Sequence, residues 1–442
     1  MQKILIVNGN VVNENKTEVL DILISDGKIE KIDKDLQSVT ADIVIDAEDK
    51  YIIPGMIDDQ VHFRDPGQTN KGSMKSESIA AIVGGTTSFM DMPNNKPPFT
   101  KNSDLSEKFN IAENNSLANF SFYLGATNEN IDEIKNLRDD ACGVKVFMGS
   151  STGNMLVDDL NALENIFMHA PSLIATHCES SPIIDKNYEI YKEKYGEDIP
   201  IKYHPEIRSR ESCYESSLLA TNLAKKHNSR LHVLHLTTKD ELSLFSLGDL
   251  KDKKITGEVC VHHLLYSDQD YEKKGTFIKC NPSIKTENDR MSLVEAIKND
   301  NLDVIATDHA PHLLSEKTGK YIDIGSGLPY IQHALRGILE FYHDEIFTLE
   351  KIVEKISHNP SICYSIKDRG FIREGYWADI VIFEKHKPYL DEELIYHKCG
   401  WSAFSDINFR SKILYTIVSG NIAYDNGNIN HSVFGEKLEF NR

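Results

Sequence analysis

Residues 55–360 alternate short apolar runs with longer amphipathic stretches. Short apolar runs bounded by turn residues are typical of buried strands, and the longer stretches are typical of helices. Eight apolar runs fit a buried strand: Met56–Val61, Thr86–Met90, Phe120–Leu124, Val144–Met148, Leu173–Thr176, Arg230–Leu234, Ile255–Val259 and Asp303–Thr307. Eight strand–helix units in succession predict an α/β fold, a (β/α)8 barrel of the TIM type. A doubly wound open sheet is the alternative.

The two ends of the chain carry a different pattern, in which short strands alternate with tight turns. Near the start, Ile4–Val7 precedes the turn dipeptide Asn8-Gly9, and Asp26-Gly27 precedes a further strand. Near the end, Ala378–Phe383 and Lys412–Val418 are rich in β-branched and aromatic residues. Two β-rich ends around a barrel predict one small β domain built from both termini. Two separate β units are the alternative.

These patterns divide the 442-residue chain into two domains. We predict that residues 1–54 and 365–442 form a small β-sandwich domain, and that residues 55–364 form the (β/α)8 barrel. A chain of this length can bury a large core, so the fold does not require disulfides.

The amino-acid composition limits which kinds of molecule the protein is expected to bind. The chain has 49 Lys+Arg and 68 Asp+Glu, a formal net charge of −19, which argues against nucleic acid or an anionic membrane as a partner. No apolar run approaches the roughly 18 residues needed to span a bilayer, and we find no signal peptide. Seven scattered cysteines without a Cys-x-x-Cys pair are typical of reduced thiols. We therefore expect a cytoplasmic protein.

Ionisable residues follow several of the predicted strands. His62, His177, His235 and Asp308 stand at the ends of the first, fifth, sixth and eighth strands. A barrel enzyme places its catalytic residues at these carboxyl ends. A single histidine at such a position is more often structural, but three imidazoles and a carboxylate together form a donor set that suits Zn²⁺. The pattern therefore predicts a metal-dependent hydrolase.

Two of these positions suggest finer chemistry. Asp308, beside the metal, could accept the proton of the attacking water and return it to a leaving nitrogen. Lys145 lies in the fourth strand, where a cation beside a metal ion would be repelled. If its amine carries CO₂ as a carbamate, it becomes an anion that can bridge two metals. The alternative is a strand lysine paired with a carboxylate.

Several sequence blocks can be compared with a known family. The clearest are residues 54–58 (PGMID), 61–67 (VHFRDPG), 279–285 (KCNPSIK) and 305–312 (IATDHAPH). Together with shorter blocks they extend over nearly the whole chain and resemble the dihydroorotases, in the cyclic-amidohydrolase branch of the amidohydrolase superfamily. That resemblance implies a barrel with a β-sandwich from both termini, in agreement with the hydrophobic pattern.

The resemblance also implies roles for single residues. The metal ligands implied are His62, Lys145, His177, His235 and Asp308, with Lys145 carboxylated and Asp308 also the general acid and base. The substrate-binding residues implied are Arg64, Asn94 and His312, which hold a free carboxylate, and Asn281, which contacts the pyrimidine ring. Arg64 can pair with a carboxylate through two hydrogen bonds.

The activity implied is the reversible hydrolysis of L-dihydroorotate, a small cyclic amide, to N-carbamoyl-L-aspartate in pyrimidine nucleotide synthesis. One or two Zn²⁺ ions would serve as the cofactor, and a homodimer is common among such enzymes. Two alternatives stay open. One is an allantoinase or hydantoinase, which performs the same chemistry on another ring. The other is a non-catalytic dihydroorotase-like protein that supports a partner enzyme.

One position departs from the family. The family has His-x-His on the first strand, and this chain has Gln60-Val61-His62. Residues two apart on a strand share a face, so Gln60 takes the place of the first ligand. A neutral amide is a poor substitute for imidazole on zinc. Three outcomes are open: Gln60 coordinates a metal weakly through its oxygen, the enzyme uses a single metal, or the activity has been lost. We favour an active enzyme. His232, three residues before His235, is expected to be structural.

Overall fold

The computed structural model describes residues 2–149, 155–390 and 394–442. The first 54 residues contain five strands: β1 (Ile4–Asn13), β2 (Lys16–Ser25), β3 (Lys28–Asp33), β4 (Ile43–Asp46) and β5 (Tyr51–Pro54). Asp26-Gly27 turns the chain from β2 into β3, with φ values of 52° and 82°. The prediction of a turn at Asn8-Gly9 is wrong. β1 runs through both residues, and its register with β2 shifts between Ile6 and Gly9. The positive φ of Asn8, 62°, therefore serves a bulge rather than a hairpin.

The eight barrel strands all lie within three residues of the predicted bounds. They are β6 (Met56–Val61), β7 (Thr86–Asp91), β8 (Asn119–Gly125), β9 (Gly143–Phe147), β10 (Ile174–His177), β11 (Leu231–Val233), β12 (Ile255–Cys260) and β13 (Val304–Ala306). Each pairs in parallel with the next along the chain. A parallel bridge from Val61 to His309 brings the two ends of the sheet together. The (β/α)8 barrel is thus confirmed, and the open doubly wound sheet is excluded.

The last four strands complete the sheet begun at the start of the chain. They are β14 (Ile380–Leu390), β15 (Asn408–Val418), β16 (Asn421–Asp425) and β17 (Asn428–Ile429). β14 pairs antiparallel with β5, with Ile380 opposite Pro54. One nine-stranded sheet results, in the order β17-β16-β15-β14-β5-β1-β2-β3 with β4 beside β1. Isoleucines of both termini share its core, including Ile6, Ile24 and Ile382. This pairing excludes two separate β units.

Helices connect the barrel strands and cover the sheet. They are α1 (Met74–Val83), α2 (Asn102–Asn115), α3 (Ile131–Lys135), α4 (Leu160–His169), α5 (Ser181–Tyr195), α6 (His204–Ile207), α7 (Arg210–His227), α8 (Val261–Leu265), α9 (Tyr271–Lys274), α10 (Glu287–Lys298), α11 (Ile331–His343), α12 (Leu349–Val353) and α13 (Asn359–Tyr364). Ser209 caps α7 by accepting a hydrogen bond from the Ser212 N–H. Within the described ranges, every helix is too short or too polar to cross a bilayer.

Candidate active site

The carboxyl ends of the barrel strands surround a cavity of about 520 Å³. Parallel strands in a barrel present these ends on one face, where enzymes of this fold carry out their chemistry. The cavity is lined by all ten residues singled out from the sequence: Gln60, His62, Arg64, Asn94, Lys145, His177, His235, Asn281, Asp308 and His312. Residues separated by as many as 252 positions therefore meet at a single site.

Three of these residues adopt a left-handed backbone conformation. The φ angles are 67° at Arg64, 40° at His235 and 49° at Asp308. Such values are uncommon outside glycine and cost about 1–3 kcal/mol each. Each residue follows the end of a strand, where the chain turns away from the barrel axis. The fold therefore holds strained backbone at three points of the cavity wall.

His177 and His235 face each other across one side of the cavity. Their Nδ1 and Nε2 atoms are 3.0 Å apart. The Nε2 atom of His177 lies 2.9 Å from Oε2 of Glu179, which also pairs with Arg208 at 2.9 Å. Burial lowers the pKa of both histidines. A neutral His177 whose Nε2–H is held by a carboxylate presents a bare Nδ1 lone pair, as a metal-binding imidazole does.

Lys145 lies beside this histidine pair and is almost fully buried. Its Nζ sits over the Phe147 ring, 4.7 Å from the ring centre. Among the described residues, no carboxylate lies within ion-pair distance of this Nζ, so the pairing that would make Lys145 a structural lysine is not found. Burial lowers the pKa of Lys145 to about 8. An amine that is partly neutral near pH 7 can react with CO₂.

On the other side of the cavity, Asp308 is enclosed by hydrogen bonds. Its Oδ1 accepts from Gln60 Nε2 at 3.2 Å and lies 3.0 Å from His62 Nε2. His62 Nδ1 is 2.7 Å from Oδ1 of Asn94, an oxygen that can only accept. His62 therefore carries a proton on Nδ1, and its Nε2 is directed at Asp308. Asn94 thus orients His62 as well as lining the cavity.

The outer part of the cavity contains the Arg64 guanidinium. Arg64 donates from Nε to the Pro311 carbonyl at 3.2 Å, and its Nη2 lies 3.3 Å from His312 Nε2. Burial lowers the pKa of Arg64, and burial together with the Arg64 charge lowers that of His312. Buried Oδ1 of Asn281 accepts no aligned hydrogen bond from the described residues. Arg64 is therefore available to an anionic ligand, and the Asn281 oxygen is available to a donor such as a ring N–H.

The chain is similar to several known proteins over nearly its full length. The model of the amidohydrolase family matches residues 51–423. The chain belongs to the amidohydrolase family. A dihydroorotase of Aquifex aeolicus is 31% identical over 96% of this chain and 100% of its own, and an allantoinase of Desulfitobacterium hafniense is 29% identical over 98% of both. The L-hydantoinase structure from Arthrobacter aurescens superposes with a TM-score of 0.94 at 25% identity, covering 99% of this chain and 100% of its own.

These relatives confirm two expectations from the sequence. The enzyme class, a hydrolase of the cyclic-amidohydrolase branch, is confirmed by the family match and by the names of the relatives. The fold class is confirmed by the superposition over nearly the whole chain. The relatives are named dihydroorotase, allantoinase and hydantoinase, so they do not decide which cyclic amide this amidohydrolase hydrolyses. The chemistry of its own cavity bears on that question.

The donor atoms of the cavity fit a divalent metal ion. Two neutral imidazole nitrogens 3.0 Å apart have the spacing of neighbouring ligands on one ion, and Glu179 orients one of them. Other imidazole, thiol and carboxylate groups also converge within the described part of the amidohydrolase. They are Glu77 with His309 and His397, Cys260 with His262 and His263, and Asp59 with His232 and Glu258.

Sequence reasoning missed several residues that support the site. Glu179 stands two residues after His177, beyond the end of β10, where strand periodicity gives no signal. Lys71 lies 3.5 Å from His312 Nδ1 and forms a 2.6 Å ion pair with Glu316. Their contact joins loops that are 245 positions apart, and neither residue carries a motif. Such pairs become visible only once the barrel is closed.

Proposed function

We propose that this amidohydrolase is a dihydroorotase, which reversibly hydrolyses the cyclic amide of L-dihydroorotate to N-carbamoyl-L-aspartate. The observation that carries the proposal is the guanidinium of Arg64, which lines the cavity beside His312. Dihydroorotate carries a free carboxylate on its ring, whereas hydantoin and allantoin carry none. A guanidinium matches a carboxylate through paired hydrogen bonds, so this cation selects the acidic ring.

One further feature supports a cyclic amide as substrate, since the charge of Lys71 near His312 is already paired with Glu316. Asn281 offers a buried amide with an unsatisfied oxygen, which can accept from a ring N–H. The net charge of −19 belongs to the chain as a whole, and it does not describe the cavity wall that contains Arg64.

In the proposed reaction Asp308 moves the proton. Its carboxylate takes the proton of the attacking water and delivers it to the ring nitrogen as the amide bond breaks. His62 and Gln60 both contact Oδ1, which fixes the plane of the carboxylate. Arg64 and His312 hold the substrate carboxylate, so the carbonyl carbon is presented to the water in one orientation.

A zinc ion would be held by His177, His235 and the carboxylated Lys145. When bound, it supplies a Lewis acid that polarises the ring carbonyl and lowers the pKa of water. The identity of the metal and the carbamate on Lys145 are parts of this proposal. The low pKa of Lys145 and the absence of a carboxylate partner among the described residues support the carbamate.

The test compares three substrates with the purified enzyme: L-dihydroorotate, allantoin and hydantoin. We expect turnover of dihydroorotate and a loss of about 10²-fold in kcat/KM for Arg64→Ala, equivalent to about 2.7 kcal/mol. Arg138→Ala, which removes a surface arginine paired with Asp140, is the matched control and should leave kcat/KM unchanged. Cleavage of allantoin or hydantoin at a higher rate than dihydroorotate would refute the proposal.

An allantoinase or hydantoinase is the second candidate, because some of the similar proteins carry these names. The allantoinase relative covers as much of the chain as the dihydroorotases do, and a hydantoinase gives a TM-score of 0.94. For this candidate, Arg64→Ala would leave turnover of the neutral ring intact. The non-catalytic alternative rests on Gln60, and measurable turnover of any of the three rings would exclude it.

The cellular setting belongs to the same proposal. A dihydroorotase serves pyrimidine nucleotide synthesis, for which we propose a cytoplasmic location. All seven cysteines are buried and free, as in proteins of a reducing compartment. We also propose a homodimer, which light scattering at micromolar concentration would distinguish from a monomer.

A further inference from the structure

A second group of ligand-type side chains lies deeper in the barrel than the cavity. Asp59 on β6, His232 on β11 and Glu258 on β12, here called the barrel-core triad, are all fully buried. Asp59 precedes Gln60, and His232 precedes His235 by three residues. The triad is therefore below the active site along the same strands, and nothing in the proposed reaction uses it.

The Nδ1 atom of His232 lies against a hydroxyl, and the Cys363 thiol is 3.7 Å from the same nitrogen. Thr256 Oγ1 donates to the Leu231 carbonyl at 3.3 Å and lies 2.7 Å from His232 Nδ1. Because the hydroxyl proton is already engaged, Oγ1 accepts from an Nδ1–H. The other nitrogen, Nε2, then faces the two carboxylates. A bare lone pair directed at two anions would be repelled, so a positive charge, either a second ring proton or a metal cation, lies between them.

The geometry points to a shared cation rather than to pairwise hydrogen bonds. His232 Nε2 is 3.1 Å from Asp59 Oδ2 and 3.6 Å from Glu258 Oε2. Neither contact has the alignment of a hydrogen bond, and both oxygens of Asp59 also lack one among the described residues. Donors bound at roughly 2.0–2.2 Å to one zinc-sized ion are separated by about 3.0–3.6 Å.

Charge balance leads to the same conclusion. Two ionised carboxylates that are buried side by side are strongly disfavoured unless a positive charge lies between them. A divalent cation would neutralise both carboxylates, and one imidazole with two carboxylates is a donor set for zinc and similar metals.

We propose that the barrel-core triad binds a divalent transition-metal cation of the zinc type, separate from the ion of the active site. The cation is acquired as the barrel folds, because its three ligands come from three strands and are sealed from solvent. Glu258 Oε1 also accepts the backbone N–H of His235 at 3.0 Å. The core ion therefore fixes the carboxylate that supports an active-site ligand.

Zinc content decides the proposal without any activity measurement. Protein produced with Zn²⁺ is dialysed against a chelator, which strips the open cavity and leaves the buried ion. We expect one zinc per chain to resist dialysis, and Asp59→Asn to lose it. His177→Asn should retain it, and so should Asp21→Asn, a buried carboxylate in the terminal sheet. Resistant zinc that persists in Asp59→Asn would overturn the assignment.

Anomalous diffraction at the zinc edge covers the case in which Asp59→Asn does not fold. Crystals of the wild-type protein should show a peak between Asp59 Oδ2, His232 Nε2 and Glu258 Oε2. Zinc at the active site without a peak in the core means that a proton, not a metal, joins the triad, and the proposal fails. Turnover of dihydroorotate is independent of either result, so the proposed function is tested separately.

Discussion

The two sides of the active site satisfy their polar atoms in different ways. On the side of His177 and His235, two imidazoles face each other and Glu179 directs one of them inward. On the side of Asp308, Gln60 donates to its Oδ1, and His62 Nε2 lies 3.0 Å from the same oxygen. A metal ion would complete the first side, whereas on the second side an amide already donates to the carboxylate. The proposed general base therefore keeps a fixed position although an amide stands where an imidazole was expected.

Removing a ligand from the metal side should have the largest effect. We expect His235→Asn to lower kcat by about 10³-fold or more, since the Lewis acid contributes several kcal/mol. Metal analysis after chelator dialysis and reloading should show one ion fewer than in the wild type. His227→Asn removes a histidine that pairs with Glu164 near the end of α7 and should change neither quantity. Retention of a tenth of the activity by His235→Asn would contradict the assignment.

Removing the charge that orients His177 should have an intermediate effect on metal binding. Glu179→Gln keeps the shape of the side chain but removes the negative charge that holds the His177 Nε2–H. We expect metal affinity to fall about 10–100-fold, measured by competition with a chromophoric chelator. The control is Glu197→Gln, an exposed carboxylate paired with Lys320. Equal affinities of the two variants would show that Glu179 serves only Arg208.

The pH dependence of carboxylation should be smaller, about tenfold per pH unit. With a pKa of about 8, the neutral fraction of the Lys145 amine rises about tenfold from pH 6 to pH 7 and levels off above pH 8. Metal-free protein incubated with fixed dissolved CO₂ and Zn²⁺ should regain activity at rates that follow this curve. Rates that keep rising to pH 10 would instead indicate a lysine with its ordinary pKa.

Placing a histidine at position 60 should change the activity least. It also compares the two sides of the active site most directly. Gln60→His removes the amide that bonds to Asp308 and adds a nitrogen donor beside His62. We expect bound zinc to rise by one ion per chain relative to the wild type, with kcat changing by less than about tenfold. Gln60→Asn, which cannot supply imidazole, should not gain the ion. Unchanged zinc in Gln60→His would show that Asp308 and His62 do not form a second metal position.

The sequence predicted the barrel well because its strands are buried on both faces. Such strands consist of nearly continuous apolar runs, so all eight could be located. Asn8-Gly9 was misjudged because a residue with positive φ serves a bulge as readily as a hairpin. The strand-end residues could be grouped into one cavity because the fold places the carboxyl ends of the strands at one edge.

The supporting residues were harder to predict because they depend on tertiary contacts. Lys71 and Glu316 meet only across two loops. The sequence did not indicate a role for Asp59. Side chains alternate between the two faces of a strand, which assigns Asp59 to the face opposite Gln60. The register of β6 against β7 shifts between Asp58 and Val61, and this irregularity allows Asp59 to contact His232 in the barrel interior. Local irregularity of this kind has no signature in hydrophobic periodicity.

The joining of both termini in one sheet has a consequence for synthesis on the ribosome. Pro54 of β5 pairs with Ile380 of β14, which is translated 326 residues later. At about 5–20 residues per second, the edge of β5 waits roughly 20–60 s for its partner. During that interval the nascent chain exposes an unpaired strand rich in isoleucine. Chaperone supply and translation speed, rather than the stability of the finished enzyme, would then set the yield of folded protein.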